Sequence, residues 1–136
     1  MLATFMPSLR PTIYLIDDDA SVRRALGRVM TSCGLSWQAY ASVTEFLAET
    51  NIVGPGCIVA DMTMPGMGGL ELKLALNAAN RHIPMIFLTA QDTDEMRHAA
   101  HEAGAASFFR KPVDTQALID AIQWALNGPS VQTPKS

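Results

Sequence analysis

The sequence predicts an α/β fold in which a parallel sheet of five strands carries helices on both faces. Four short apolar segments are continuous rather than alternating, which is typical of strands buried on both faces. Stretches of about 12 to 20 residues with helical spacing separate the segments. Strict alternation of strands and helices implies parallel strands joined by right-handed crossovers, and ligands then gather beyond the carboxyl ends of the strands.

The first part of the chain is predicted to hold two strand-helix units. The first strand is Ile13 to Ile16, and the following helix carries apolar residues at helical spacing from Val22 to Cys33, before a glycine that suits a helix end. The second strand, Leu35 to Tyr40, is the weakest apolar segment. Ser42 with Glu45 three residues later is typical of a capping box, so a second helix is predicted to begin there.

The second part of the chain is predicted to hold three more units of the same kind. Their strands are Cys57 to Ala60, Met85 to Leu88, and Phe108 with Phe109. Their helices run roughly from Gly69 to Ala79, from about Asp92 to Ala103, and from Asp114 to about residue 127.

Composition and charge exclude several classes of protein. The 136 residues are 49% hydrophobic and 17% charged, which suits one domain with one buried core. No apolar run exceeds four residues, so we expect neither a membrane span nor a signal peptide, and we predict a cytoplasmic protein. Thirteen acidic against ten basic residues give a net charge of -3 with no basic cluster, so we expect this domain to bind no nucleic acid.

Residues outside the periodic region and isolated side chains have simpler interpretations. Segments 1–11 and 128–136 are rich in Pro, Ser and Thr, and we predict a flexible N-terminal segment and a flexible tail or the start of an interdomain linker around a domain of residues 12–127. Cys33 and Cys57 lie among apolar neighbours and are expected to be reduced core thiols. We expect three histidines on the surface and two tryptophans in core or half-buried positions, namely His82, His98, His101, Trp37 and Trp124.

Polar residues follow four of the five predicted strands, namely Asp17 to Asp19, Asp61, Thr89 and Lys111. These residues should meet at one edge of a parallel sheet. Adjacent carboxylates repel one another unless a cation lies between them, and an oxygen-only set of ligands favours Mg²⁺. A lysine and a hydroxyl can bind phosphoryl oxygens, so the edge is predicted to be a phosphoryl-transfer site. Asp19 fits a helix N-cap equally well.

These motifs together resemble the receiver domain of bacterial two-component response regulators, over residues 12 to about 127. The matching motifs are Asp17-Asp18, Asp61-Met62-Thr63-Met64-Pro65-Gly66-Met67-Gly68-Gly69, Leu88-Thr89-Ala90 and Lys111-Pro112. The resemblance implies a flavodoxin-like, doubly wound (βα)5 three-layer sandwich with strand order 2-1-3-4-5. The local pattern looks most like receivers attached to helix-turn-helix transcription factors of the nitrogen-fixation regulator type.

The resemblance implies a role for each residue of the site. Asp61 would accept a phosphoryl group from a phosphohistidine of a sensor histidine kinase. Asp18 would bind Mg²⁺ directly and Asp17 through a water, while Asp61 and the backbone carbonyl of Thr63 would complete the protein ligands. Lys111 would pair with the phosphoryl group, and its peptide bond to the following proline is expected to be cis.

The resemblance also implies a conformational switch. Thr89 would move toward the phosphoryl group, and Phe108, at a position where the family often has Tyr, would turn inward to fill the space. Ordinary core packing is the alternative for Phe108. Thr63 and Gln91 occupy the positions that set the lifetime of the phosphoryl group in the family. We expect Gln91 to help orient a hydrolytic water, with a solvated loop residue as the alternative.

The family's usual output face is the fourth helix, fifth strand and fifth helix. We expect phosphorylation-promoted dimerisation or partner binding on this face, which would include Glu95, Arg97, His98, Arg110, Gln123 and Trp124. The chain would then be a phosphoacceptor signalling domain rather than an enzyme, and we expect it to be a fragment of a longer regulator with an effector domain, although a stand-alone receiver remains the alternative.

Other functions leave parts of the sequence unexplained. Asp17 and Asp19 also fit the opening motif of haloacid-dehalogenase-type magnesium phosphatases, but the acidic pair expected downstream of Lys111 is missing. That interpretation also gives no role to Asp61. A nucleotide-binding module would need a complete glycine-rich phosphate loop, which the sequence lacks. A receiver fold that acts only as an interaction module, without phosphorylation, is a further alternative.

Overall fold

Strands and helices alternate strictly in the computed structural model, which describes residues 10–49, 52 and 54–127. The five strands form one parallel sheet in the order β2-β1-β3-β4-β5. The elements are β1 (Thr12–Ile16), α1 (Ala20–Ser32), β2 (Ser36–Tyr40), α2 (Val43–Ala48), β3 (Gly56–Asp61), α3 (Gly69–Ala78), β4 (Met85–Thr89), α4 (Asp94–Ala103), β5 (Ser107–Arg110) and α5 (Thr115–Asn127). The predicted doubly wound α/β fold and strand order are therefore confirmed.

The register of the central strands brings the predicted site residues to one edge. Ile16 is the register partner of Ala60 in the β1–β3 ladder, so the next residues, Asp17 and Asp61, leave neighbouring strands side by side. In the β4–β5 ladder Thr89 is opposite Arg110. Lys111 therefore follows the last paired position, at the same edge.

Alternating side chains fill two core layers, one on each face of the sheet. One layer lies under α1 and α5 and includes Leu15, Met30 and Leu118. The other lies under the three remaining helices and includes Phe46 and Phe87. Both faces of β1, β3 and β4 are buried, which explains why their sequences are continuously apolar.

The edge strand β2 explains the weakness of its sequence signal. Ser36, Gln38 and Ala39 are exposed, and only Tyr40 is buried. Trp37 is half-buried, and its indole N–H donates to Thr31 Oγ1 at 2.9 Å. A strand at the edge of the sheet whose side chains are only partly covered needs few apolar residues, so its pattern is weak.

Short side chains begin three of the helices. Asp19 caps α1, where its Oδ1 accepts the Ser21 N–H at 2.9 Å. Ser42 caps α2 by accepting the Glu45 N–H at 3.1 Å, but the Glu45 carboxylate accepts the N–H of the residue before the cap and so completes no standard capping box. Helix α4 begins at Asp94 with Thr93 as its cap, two residues later than predicted.

Two predictions about individual side chains are wrong. Cys33 is exposed, because it lies at the C-cap of α1 rather than within the core. Trp124 is 51% exposed on α5, outside the core. Cys57 is buried as predicted, and burial raises the pKa of its thiol to about 12. The three histidines are exposed, as predicted.

The predicted flexible ends lie almost entirely outside the described residues, since the structure describes only residues 10 and 11 of the two segments. Among the described residues, no helix is both long enough and apolar enough to cross a membrane.

Candidate functional site

Three carboxylates meet at the edge where β1 and β3 end. Asp17 and Asp61 are buried, while Asp18 is exposed. One oxygen from each of the three lies within 4.8 Å of the other two. The sequence placed these residues at strand ends, and the strand order makes those ends neighbours.

Lys111 brings the positive charge to this cluster from the loop after β5. Its Nζ lies 2.7 Å from Asp17 Oδ2 and 2.9 Å from Asp61 Oδ2. The contact with Asp61 has hydrogen-bond geometry, whereas Asp17 Oδ2 accepts no hydrogen bond from the described residues. The Lys111–Pro112 peptide bond is cis, as expected.

Backbone donors fix the second oxygen of each buried carboxylate. Asp17 Oδ1 accepts the Asp19 N–H at 2.9 Å, and Asp61 Oδ1 accepts the Thr63 N–H at 3.1 Å. Arg23 also stabilises the loop after β1, since its Nη1 donates to the Asp17 backbone carbonyl oxygen at 2.7 Å. Each carboxylate is thus oriented by its own loop, and its other oxygen faces Lys111.

Burial and pairing oppose each other in the electrostatics of the site. Burial raises the pKa of Asp17 above its ordinary value, although the neighbouring Lys111 ammonium works in the opposite direction. Burial alone would lower the pKa of Lys111, but its contacts with Asp17 and Asp61 raise it. The site therefore holds three carboxylates against one ammonium and favours a further cation.

The donor set fits a magnesium ion. Asp17, Asp18 and Asp61 offer only oxygen ligands, which Mg²⁺ prefers in proteins. Asp17 Oδ2 is buried and pairs with the Lys111 ammonium at 2.7 Å, and a carboxylate oxygen with one such partner has a further lone pair to give to a ligand. Both observations are of the kind expected at a magnesium site.

The sequence profile of the response regulator receiver domain matches residues 13–123 of the chain. The chain belongs to this receiver family. TodT of Pseudomonas putida F1, a response regulator protein, is 38% identical over 114 residues, which are 84% of this chain and 50% of TodT. The transcriptional regulatory protein FixJ of Azorhizobium caulinodans is 38% identical over 121 residues, covering 89% of this chain and 57% of FixJ.

Solved structures agree with the sequence relatives. The response regulator StyR superposes with a TM-score of 0.80 at 40% identity, over 87% of this chain and 60% of StyR. The structure of FixJ-N superposes with a TM-score of 0.79 at 33% identity, over 86% of this chain and 94% of FixJ-N. The receiver chain spans about half the length of the first curated relatives that it matches.

Thr89 ends β4 in this receiver domain, and its side chain turns into its own loop. Its hydroxyl donates to the Gln91 carbonyl oxygen at 2.9 Å, accepts the Gln91 N–H at 3.0 Å, and lies 3.8 Å from Met96 Sδ. Thr89 itself is fully buried, whereas Gln91 is exposed. None of these contacts joins Thr89 to the carboxylates of the site.

Phe108 lies on β5, outside the acidic cluster. It is half-buried, packs against the core layer of α2 to α4, and carries the Arg97 guanidinium 5.4 Å from the centre of its ring. Arg97 also pairs with Asp92 at 2.6 Å. The half-buried position of Phe108 fits either a packing residue or one that moves.

The structure thus brings together some of the predicted residues and separates others. Asp17, Asp18, Asp61 and Lys111 meet directly, and Thr63 touches the cluster through its N–H. The sequence analysis missed the contacts made by three side chains near these residues, namely Arg23, Met96 and the Asp92 partner of Arg97. Of these contacts, only the Asp92–Arg97 ion pair could have been suspected from the sequence, since the two opposite charges lie five residues apart across the start of a helix.

Proposed function

We propose that this receiver domain accepts a phosphoryl group on Asp61 from a phosphohistidine of a sensor histidine kinase. One observation carries the proposal: the buried Asp61 carboxylate points one oxygen at Lys111, at 2.9 Å, in the middle of a cluster that fits a cation. An acceptor needs an ionised oxygen with positive charge already in place, and this arrangement provides both.

In the proposed reaction an Asp61 oxygen attacks the phosphorus, and an acyl phosphate bond forms as the bond between phosphorus and the histidine nitrogen breaks. The histidine nitrogen leaves with the electron pair of that bond. Lys111 then pairs with a phosphoryl oxygen, because its ammonium already lies beside the acceptor. The Thr63 N–H holds the other Asp61 oxygen and so fixes the direction of attack.

Asp17, Asp18 and Asp61, with the backbone carbonyl of Thr63, would hold Mg²⁺ in this proposal. The ion would supply positive charge against the negative charge that gathers on the phosphoryl oxygens. Asp17 suits this role because one of its oxygens is already fixed by the Asp19 N–H, while the other is buried and pairs with Lys111 at 2.7 Å.

The proposal includes a switch and a limit on its lifetime. Thr89 leaves its loop partners for the phosphoryl group, and Phe108 turns inward behind it. Thr89 is fully buried at the end of β4, and Phe108 is only half-buried. A half-buried ring can move into the space that the Thr89 side chain leaves. Gln91, whose backbone bonds the Thr89 hydroxyl and which is exposed, and Thr63 are the residues that would govern hydrolysis of the acyl phosphate.

The biology of the whole regulator also belongs to this proposal. TodT and FixJ are named as a response regulator and a transcriptional regulator, and we infer that this chain is the receiver part, within residues 12–127, of a cytoplasmic regulator that controls transcription through an effector domain. The receiver domain itself would catalyse only its own phosphorylation and dephosphorylation. Phosphorylation would promote a homodimer through α4, β5 and α5.

The intact mass of the protein tests the central proposal. We expect incubation with acetyl phosphate and Mg²⁺ to add one phosphoryl group to the wild-type protein, and Asp61→Ala to abolish the addition. Asp120→Ala, an exposed aspartate on α5, is the matched control and should react normally. An adduct that survives Asp61→Ala would rule out Asp61 as the acceptor. If the wild type gains no mass, a magnesium titration separates a receiver restricted to its kinase, which binds the ion, from an interaction module, which does not.

A further inference from the structure

Two adjacent residues of α4 touch both members of the proposed switch. Met96 Sδ lies 3.8 Å from the Thr89 hydroxyl, and the Arg97 guanidinium lies over the Phe108 ring at 5.4 Å. Both residues belong to the first turn of α4, whose start is fixed by Thr93, since the Arg97 N–H donates to the Thr93 carbonyl oxygen at 3.0 Å. The beginning of α4 is therefore in contact with both switch positions at once.

Arg97 is held in place from its other side by Asp92. The pair is short, at 2.6 Å, and the second Asp92 oxygen is buried without any partner among the described residues. Arg97 therefore supplies the side-chain partner of the Asp92 carboxylate, and Asp92 in turn orients the Arg97 guanidinium. The Arg97 side chain is 59% exposed, so it has room to adopt other conformations. Its contacts with Asp92 and with the Phe108 ring keep it in this one.

The sheet register makes this contact relevant to Thr89. Phe108 is the register partner of Phe87, and Phe87 lies two residues before Thr89 on β4. Because side chains two apart on a strand share a face, Phe108 and Thr89 lie on the same face of neighbouring strands. The Arg97 guanidinium lies over the Phe108 ring on that face, and we call the half-buried position that the ring has here its outward position.

We propose that Arg97 is a positioning residue that retains Phe108 in its outward position until Asp61 is phosphorylated. The idea rests on the proposed function, because it assigns a resting-state restraint to that switch. A guanidinium over an aromatic face is an attractive contact, and it supplies the outward Phe with the polar anchor that a Tyr hydroxyl would otherwise give.

The same contacts provide a route for release. Thr89 is bonded to the backbone of Gln91, and Asp92 is the next residue of that loop. When the Thr89 hydroxyl breaks these hydrogen bonds, the loop that orients Asp92 toward Arg97 is no longer fixed. Arg97 then loses its ion pair with Asp92, and the Phe108 ring can turn inward.

Fluorine NMR of the chain labelled with fluorophenylalanine tests this proposal. The chain has five phenylalanines, and Phe108→Leu identifies the Phe108 resonance. In unphosphorylated Arg97→Met we expect that resonance to shift toward its position in the phosphorylated wild type. The ratio of inward to outward ring should rise about two- to fivefold, the size expected on losing an exposed cation–π contact. The initial rate of mass gain from acetyl phosphate should rise by a similar factor.

Matched variants separate the contact from a general disturbance. Arg97→Lys keeps a cation over the ring and should restore most of the wild-type position, and Asp92→Asn should act like a weaker Arg97→Met. Arg81→Met, at an exposed arginine after α3, should change nothing. The resonances of the buried Phe46 and Phe87 report an intact core, and if Arg97→Met disturbs them, the Arg97→Lys and Asp92→Asn results decide.

The outcomes also distinguish this proposal from the proposed function. If the Phe108 resonance and the phosphorylation rate stay at wild-type values in Arg97→Met and Asp92→Asn, Arg97 does not hold the ring and the proposal is wrong. If wild type gains no phosphoryl group from acetyl phosphate and binds no Mg²⁺, the proposed function fails instead, and the difference in the Phe108 resonance between resting wild type and Arg97→Met can still be measured.

Discussion

Three neighbouring aspartates after β1 have the same chemistry but different surroundings. Asp17 is buried and faces Lys111, Asp18 is exposed in the carboxylate cluster, and Asp19 caps α1. The chain leaves the sheet at this point and turns into a helix, so consecutive side chains point in different directions. Adjacent positions in the sequence therefore carry separable tasks.

This separation predicts opposite effects for two adjacent substitutions. We expect Asp18→Ala to weaken Mg²⁺ binding at least about tenfold, because it removes an oxygen ligand, while leaving the melting temperature of the magnesium-free protein nearly unchanged. Asp19→Ala should lower that melting temperature by a few degrees through loss of the cap, with Mg²⁺ affinity close to wild type. Calorimetric titration and thermal unfolding measure the two effects.

The pH dependence of the melting temperature of Asp19→Ala tests whether the loss of stability comes from the ionised cap. Hydrogen bonds from Ser21 lower the pKa of Asp19 below its ordinary value of 3.8, so the ionised cap stabilises the fold above that pH. The stabilisation is lost as the pH falls through the lower, folded-state pKa, and the difference between wild type and Asp19→Ala should shrink there. Loss of Mg²⁺ binding in Asp19→Ala, or its retention in Asp18→Ala, would contradict these assignments.

The sequence predicts much of the site but not its contacts. Strand-end positions are local, so Asp17, Asp61, Thr89 and Lys111 could be assigned to one edge from the pattern alone. Side-chain partners depend on rotamers and on loops that meet only in the folded chain. The placement of Arg97 over Phe108 joins α4 to β5 and leaves no periodic signal in either segment.

Helix α1 and strand β2 show the same principle at the scale of elements. Gly27 is buried in α1 directly beneath the Trp37 ring, and a methyl group added to it would overlap that ring. The Trp37 indole is tied to Thr31 on the same helix at 2.9 Å. The glycine thus serves the packing of a strand against a helix, at a position where a helix alone would prefer alanine.

The effect of Gly27→Ala should therefore change sign with its neighbour. In the wild type we expect the substitution to lower the free energy of unfolding by about 1 kcal/mol or more, because overpacking outweighs the gain in helix propensity. In a Trp37→Ala background the overlap is gone, and the same substitution should stabilise by about 0.5–1 kcal/mol. Urea unfolding followed by circular dichroism gives both values.

A substitution that stabilises both backgrounds would show that the Trp37 ring moves aside freely. One that destabilises both would place the cost elsewhere in α1. The wrong prediction at Cys33 has a different cause: apolar neighbours in sequence indicated a core position, yet α1 ends there and the chain turns away toward β2. Helix ends are set by caps and tertiary contacts, which apolar neighbours alone do not report.

At the scale of the whole molecule, the proposed switch residues lie at one side of the sheet, near α4 and β5. Thr89 is the register partner of Arg110, and Arg110 is exposed at the end of β5. Trp124 adds an exposed apolar side chain on the neighbouring α5. A change at the phosphoryl site would alter this face, while α1 packs against β2, at the opposite edge of the sheet from β5, and carries its own exposed arginines.

A charge reversal on each face tests which one carries the output. We expect phosphorylated wild type to form a dimer in sedimentation velocity, and Arg110→Glu to weaken that association at least about tenfold, because an acidic side chain at the centre of a self-complementary face meets its own copy or acidic neighbours. The variant should still accept its phosphoryl group. Arg28→Glu, an exposed arginine of α1, should associate like wild type. Equal association of wild type and Arg110→Glu, or loss of the dimer in Arg28→Glu, would show that the output surface is not on β5. Retained phosphorylation of Arg110→Glu would show that the chemistry of Asp61 does not depend on which surface associates.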